Sequence, residues 1–268
     1  MDRLEIDCED GARLAVDVEG RGHDVLLVSG LGGTSAFWSG VGERLSRHHR
    51  VIRFDQRGIG RSTRGAVECT IAQLARDCIS ILDALDVARS AVVGHSAGGL
   101  IAQTLCLDAG ARVTATVLGA TWGRRERYID ALFGSRLALL EADATQYAVN
   151  SALLSYSPSW LAQHWLVVEA AEAAAPIGEP AARVVAERIA ALRAFDRDDE
   201  LPRLRHPTLV VGAADDVIAP FFMQEYLATR IVHAALEQLP GGGHFFPVAH
   251  AEDYATLLSR WLQNHAGT

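Results

Sequence analysis

A short apolar run, a sharp turn at a serine and an immediate helix form the strongest constraint in this chain. Ala91-Val92-Val93-Gly94-His95-Ser96-Ala97-Gly98-Gly99-Leu100 passes straight into Ile101-Ala102-Gln103-Thr104-Leu105. This is G-x-S-x-G between a strand and a helix, the context that gives the pattern its chemical meaning. So tight a reversal admits only small residues two positions to either side of the serine. It thrusts the Ser96 hydroxyl out at the carboxyl end of the strand. It also aims the N–H of Ala97, at the helix start, toward charge developing beside that oxygen. The plain alternative is a βα turn whose serine merely caps the helix.

A serine hydroxyl is a weak nucleophile and needs a base within hydrogen-bond reach, itself oriented by a carboxylate. Downstream, Pro207-Thr208-Leu209-Val210-Val211-Gly212 reads as a buried strand, followed by Ala213-Ala214-Asp215-Asp216-Val217-Ile218-Ala219-Pro220. A carboxylate just past that strand end lies on the same rim as Ser96. Leu236-Glu237-Gln238-Leu239 reads as a last strand, and Pro240-Gly241-Gly242-Gly243-His244 follows it. Three glycines leave the loop free to bring an imidazole over the serine. The chain order is Ser…Asp…His, which differs from the orders in chymotrypsin and subtilisin.

With these residues the chain resembles the α/β-hydrolase superfamily along nearly its whole length. Val25-Leu26-Leu27-Val28-Ser29-Gly30-Leu31-Gly32-Gly33 is similar to that family's strand and oxyanion-hole loop, with Ser29-Gly30 where His-Gly is usual. The resemblance implies that the Leu31 N–H is a second oxyanion donor beside the Ala97 N–H, while the usual side-chain anchor of the loop is missing. It also implies that Asp216 is the acid, because its spacing to Pro220 fits the family's D-x-x-x-P pattern and Asp215 comes one residue early. Asp55-Gln56-Arg57-Gly58-Ile59-Gly60-Arg61-Ser62 is similar to the family's D-x-R-G-x-G-x-S turn, read as architectural. Ser29–Gly33, Asp55–Gly58, Thr70–Leu74, Ala111–Thr114, Trp122 and Ser159-Trp160 resemble small bacterial catabolic hydrolases, the 3-oxoadipate enol-lactonases and the aminoacrylate hydrolases.

The layout expected is α/β: a mostly parallel central sheet flanked by helices with an inserted helical cap. Strands are expected at 3–19 (a hairpin), 24–29, 50–55, 90–94 and 113–119, with helices at 36–47, 70–86 and 97–109. Residues 121–200 break this alternation with an alanine-rich, helix-period stretch and are read as the cap; 1–120 and 201–268 form the hydrolase core. Trp122 and the Arg124-Arg125-Glu126-Arg127 cluster stand at the cap's first turn. Trp122, Arg124, Arg125 and Arg127 are therefore candidate substrate-binding residues, the arginines as a carboxylate clamp; a solvated charged face is the alternative.

Several classes are excluded. All 25 basic residues are arginine, so a lysine Schiff base, a pyridoxal-phosphate lysine and a Walker P-loop have no residue to use. A net charge of −8 argues against nucleic acid and anionic membranes as partners. No apolar run approaches the roughly 20 residues of a membrane span, and the charged, strand-like start argues against a signal peptide. Cys8, Cys69, Cys78 and Cys106 have no metal spacing, which suits free thiols in a reducing cytoplasm. No metal or cofactor is expected, the partner is a small-molecule substrate, and a homodimer stays open. A serine nucleophile argues against the family's dehalogenases and epoxide hydrolases, which use a carboxylate, and its dienelactone hydrolases, which use cysteine. The expected chemistry is acyl transfer to water on an ester, lactone or amide-like bond, with a carboxylate-bearing substrate. Hydrolytic C–C cleavage, cofactor-free haloperoxidase chemistry and a hydrolase-fold ligand receptor use nearly the same constellation and stay open.

Overall fold

The computed structural model describes residues 1–265. Eight strands form one sheet in the order β1-β2-β4-β3-β5-β6-β7-β8. They are β1 (Asp2–Asp7), β2 (Arg13–Glu19), β3 (His23–Val28), β4 (His49–Phe54), β5 (Ser90–His95), β6 (Val113–Gly119), β7 (Thr208–Ala213) and β8 (Ala235–Leu239). β1 and β2 pair antiparallel, as does β2 with β4; every other pairing is parallel. The helices before β7 are α1 (Ser39–Leu45), α2 (Ile71–Ala84), α3 (Ala97–Asp108), α4 (Arg127–Ala142), α5 (Ala144–Ser155), α6 (Pro158–Leu161), α7 (Leu166–Ala173) and α8 (Glu179–Arg193). After it come α9 (Phe221–Arg230), α10 (Phe246–Ala249) and α11 (Ala251–His265).

The near-continuous apolar strands reflect a sheet covered on both faces. Side chains alternate along each strand. Leu26, Val28, Ile52 and Val92 enter the core shared with α2 and α3, while Val25, Leu27, Val51 and Val93 enter the core shared with α1 and α11. The strand order reverses between β3 and β5, which pair in register at Val28 and Gly94. Such a switch point opens a crevice beyond the carboxyl ends of the strands. The loop after β3 and the turn carrying Ser96 both leave the sheet there.

One detail differs from expectation. The helix expected over 36–47 is a 3-10 turn, Ser35–Trp38, followed by the short α1, because Gly40 and Gly42 weaken a longer helix there. Asp55 proves to be the keystone of its turn: its carboxylate accepts the N–H of Ser35 and Arg61 and pairs with the Arg61 guanidinium. Between β6 and β7 the chain is helical, α4 to α8, with no strand in that stretch.

Candidate active site

Ser96 links β5 to α3 with φ 56° and ψ −123°, a left-handed conformation that a residue with a Cβ adopts only when its surroundings impose it. The glycines around it are dictated by close approach. A Cβ on Gly94 would lie 2.2 Å from the Gly98 carbonyl oxygen, and one on Gly98 would lie 2.1 Å from the Val28 carbonyl oxygen. Helix α3 thus starts directly against β3 and β5, which forces the reversal at the serine. Ser96 N–H donates to Gly119 O at 2.8 Å, and Thr121 Oγ1 donates to Ser96 O at 2.8 Å, so the strained residue is tied on both sides. The Ser96 hydroxyl itself makes no hydrogen bond among the described residues. Bonds of this kind tighten when substrate arrives.

The two adjacent aspartates separate cleanly. Asp216 Oδ2 lies 2.8 Å from His244 Nδ1, and its other oxygen accepts the N–H of Ile218 (2.8 Å) and Ala219 (2.9 Å). Asp215 instead accepts the N–H of Gly242 (3.2 Å) and Gly243 (2.8 Å), holding the glycine loop that delivers the histidine. On the far side of that loop Phe245 N–H donates to Ser155 O, at the end of α5, at 2.7 Å. Asp216 and His244 are both buried. Because Asp216 accepts from Nδ1, the network assigns the proton to Nδ1 and leaves Nε2 as the acceptor.

His95, beside the nucleophile, is fully buried among Phe37, Trp38 and Phe246, with its ring 5.1 Å from that of His244. Neither ring nitrogen has a hydrogen-bond partner among the described residues. Burial, followed by the neighbouring His244, holds its pKa well below the ordinary 6.5. The folded protein therefore keeps His95 neutral at pH values where the unfolded chain protonates it. The stability this gives is complete above about pH 6.5 and is lost as pH falls below that, by up to about 1.4 kcal/mol per unit. Guanidinium unfolding at pH 7.5, 6 and 5 should show this decline, well above the range in which carboxylates titrate, and His95→Phe should reduce it. A flat wild-type profile between pH 6.5 and 5 would refute the assignment.

The loop after β3 packs directly on the serine: a Cβ on Gly30 would lie 3.0 Å from Ser96 Cβ and 3.4 Å from its Oγ. No hydrogen bond among the described residues uses the Leu31 or Ala97 N–H. The side-chain anchor missing at Ser29 is supplied from elsewhere. Gln56 Nε2 donates to Ser29 O at 2.6 Å, and Arg188, from α8, donates to Leu31 O, Gly30 O and Gln56 Oε1. Sequence reasoning missed Arg188 altogether and read Gln56 only as part of a turn.

The residues at the first turn of the helical insertion are placed differently from expectation. Trp122 is buried in the core against Phe133, so its apolar ring serves packing. Arg124 pairs with Glu126 and lies over the Tyr226 ring, 3.7 Å from its centroid, and Arg125 pairs with Asp130. Arg127 is exposed. Two of the three guanidiniums are therefore committed to protein partners, as on a solvated charged face, rather than free to clamp a substrate anion. A cavity of about 420 Å³ bounded by Cys69, Thr104, Glu187 and Phe195 includes none of Ser96, Asp216 or His244. Among the described residues no helix is long and apolar enough to cross a membrane, and no group of three or more His, Cys, Asp or Glu side chains is placed to hold a metal ion.

Comparison with known proteins agrees with this fold. Residues 25–251 match the family model of the alpha/beta hydrolase fold. A protein of Variovorax paradoxus named as a carbamate hydrolase, RutD, is 40% identical over 245 residues, covering 90% of each chain. The crystal structure of a hydrolase from Pseudomonas aeruginosa superposes with a TM-score of 0.87 at 29% identity, covering 97% of this chain and 98% of that one. An enol-lactonase from Burkholderia xenovorans shares the fold, with a TM-score of 0.85 at 22% identity over 98% of this chain and all of the other.

Proposed function

The chain belongs to the alpha/beta hydrolase fold family, and on that premise we propose that it is a serine hydrolase cleaving a small ester, lactone or amide-like C–N bond through Ser96, His244 and Asp216. The observation that carries this reading is the 2.8 Å contact of Asp216 Oδ2 with His244 Nδ1, made at the rim where the strained Ser96 leaves β5. Ser96 Oγ attacks the substrate carbonyl while His244 Nε2 takes its proton. The Leu31 and Ala97 N–H groups hold the oxyanion that forms. As the tetrahedral intermediate collapses, the C–O or C–N bond breaks and the leaving group takes the proton from His244. Water then attacks the acyl-enzyme, giving its proton to the same imidazole, which passes it to Ser96 Oγ as that C–O bond breaks and the acid product is released. Asp216 fixes the tautomer and stabilises the imidazolium.

Residues 121–200 act as a cap in this reading. Their contacts to the rim, Ser155 with the histidine loop and Arg188 with the Ser29–Gly33 loop, leave Ser96 and His244 largely covered and favour small substrates. The relative named as a carbamate hydrolase supports a small, carbamate-like substrate for this chain as well. The test is multiple turnover across short-chain p-nitrophenyl esters, small lactones and small carbamates. Expected is catalytic turnover of at least one short acyl group, falling steeply with chain length. Stoichiometric binding without product release would replace this reading with a ligand receptor built on the same fold.

A further inference from the structure

Arg188 is buried, with no carboxylate partner among the described residues. A buried cation left without a counter-charge is costly, so a role in packing alone would be met more cheaply by a neutral side chain. Its contacts are specific: Nε donates to Leu31 O at 2.9 Å, while Nη2 donates to Gly30 O at 3.2 Å and to Gln56 Oε1 at 2.5 Å. Gln56 in turn holds Ser29 O through Nε2 and Gly33 O through its backbone N–H. The carbonyls of residues 29, 30, 31 and 33 are thus all gripped by one pair of residues.

The consequence lies in a single peptide. In a planar trans peptide the C=O and N–H point in opposite directions. With Gly30 O held by Arg188, the N–H of the same peptide, which belongs to Leu31, must point away from the guanidinium. A cation on the carbonyl also polarises the amide and makes its N–H a stronger donor. Gly30 itself lies against Ser96. We propose that Arg188 is a positioning residue by which the helical insertion sets and strengthens the Leu31 N–H as an oxyanion donor, in place of the anchor that Ser29 does not provide. This rests on the assignment of Ser96 and Leu31 above, and it makes closure of the insertion over the rim a condition for a complete oxyanion site.

The test compares Arg188→Met and Arg188→Lys with the wild type on a matched pair of substrates, an oxygen ester and its thiono analogue. Sulfur is a poor hydrogen-bond acceptor, so the thiono ester draws little on oxyanion donors. For Arg188→Met, kcat on the oxygen ester should fall about 10- to 100-fold, somewhat less than removal of a whole donor, with KM changed by less than about threefold. The thiono ester should lose far less, so the oxygen-to-sulfur rate ratio should drop. Arg188→Lys keeps the charge but not the fork and should lie between the two; it also serves if the methionine variant fails to fold. Equal losses on both esters, or no loss, would overturn the proposal and leave Arg188 a structural tie. Wild-type enzyme that neither turns over nor is labelled at Ser96 by a phosphonate would instead remove the serine reading beneath it.

Discussion

Replacing Ser96 with alanine is expected to stop turnover while leaving the fold intact. The reaction proposed here passes through a covalent bond to Ser96 Oγ, and no other hydroxyl stands on this turn. The expected loss in kcat is on the order of 10⁴- to 10⁶-fold, the residue being whatever the oxyanion donors and binding achieve alone. The fold should survive because the ties that impose φ 56° run through the backbone of residue 96, to Gly119 O and from Thr121 Oγ1, and alanine keeps both. A thermal midpoint equal to or slightly above that of the wild type fits that picture, since catalytic strain and stability commonly trade against each other. A serine-directed phosphonate should modify wild-type protein at Ser96 alone, as read by peptide mass mapping. An alanine variant with wild-type kcat would end the proposal.

What could be read from the sequence follows from how local each feature is. The turn at Ser96 was legible because its steric demand falls on residues two positions away, so Gly94 and Gly98 record it directly. The strands were legible because burial on both faces leaves continuous apolar runs, as in Val25–Val28 and Leu209–Val211. Asp215 and Asp216 were legible as a pair, but which one meets His244 depends on how residues 213–219 curl: Asp216 caps the Ile218 and Ala219 N–H groups and so is turned inward. The charged cluster at 124–127 was conspicuous because charge is conspicuous, yet neighbouring Glu126 and Asp130 absorb it. Arg188 lay beyond reach for the opposite reason. It stands among alanines and other arginines in α8, 157 residues from the Leu31 it touches, and only the packing of α8 over the loop distinguishes it from the more exposed, ion-paired Arg183 and Arg193. Ser29 showed only that the usual local anchor was absent, not what replaces it.

The two aspartates supply the second large effect, as a contrast. Asp216→Asn should lower kcat by about 10⁴-fold with little change in the fold. An asparagine carbonyl oxygen can still accept from Ile218 and Ala219, which leaves its NH2 group facing His244 Nδ1. Two donors cannot face each other, so the imidazole shifts its proton to Nε2, the nitrogen that must be free to take the Ser96 proton. The charge that would stabilise the imidazolium is lost in the same step. Asp215→Asn should behave differently. Its partners are the Gly242 and Gly243 N–H groups, and an asparagine oxygen can retain one of them. The expected cost is about 1–2 kcal/mol of stability and a modest fall in kcat through a looser histidine loop. Steady-state kinetics and denaturant unfolding on both variants separate the roles, with one change appearing in rate and the other in stability. A kcat loss from Asp215→Asn equal to or larger than that from Asp216→Asn would reverse the assignment of the acid.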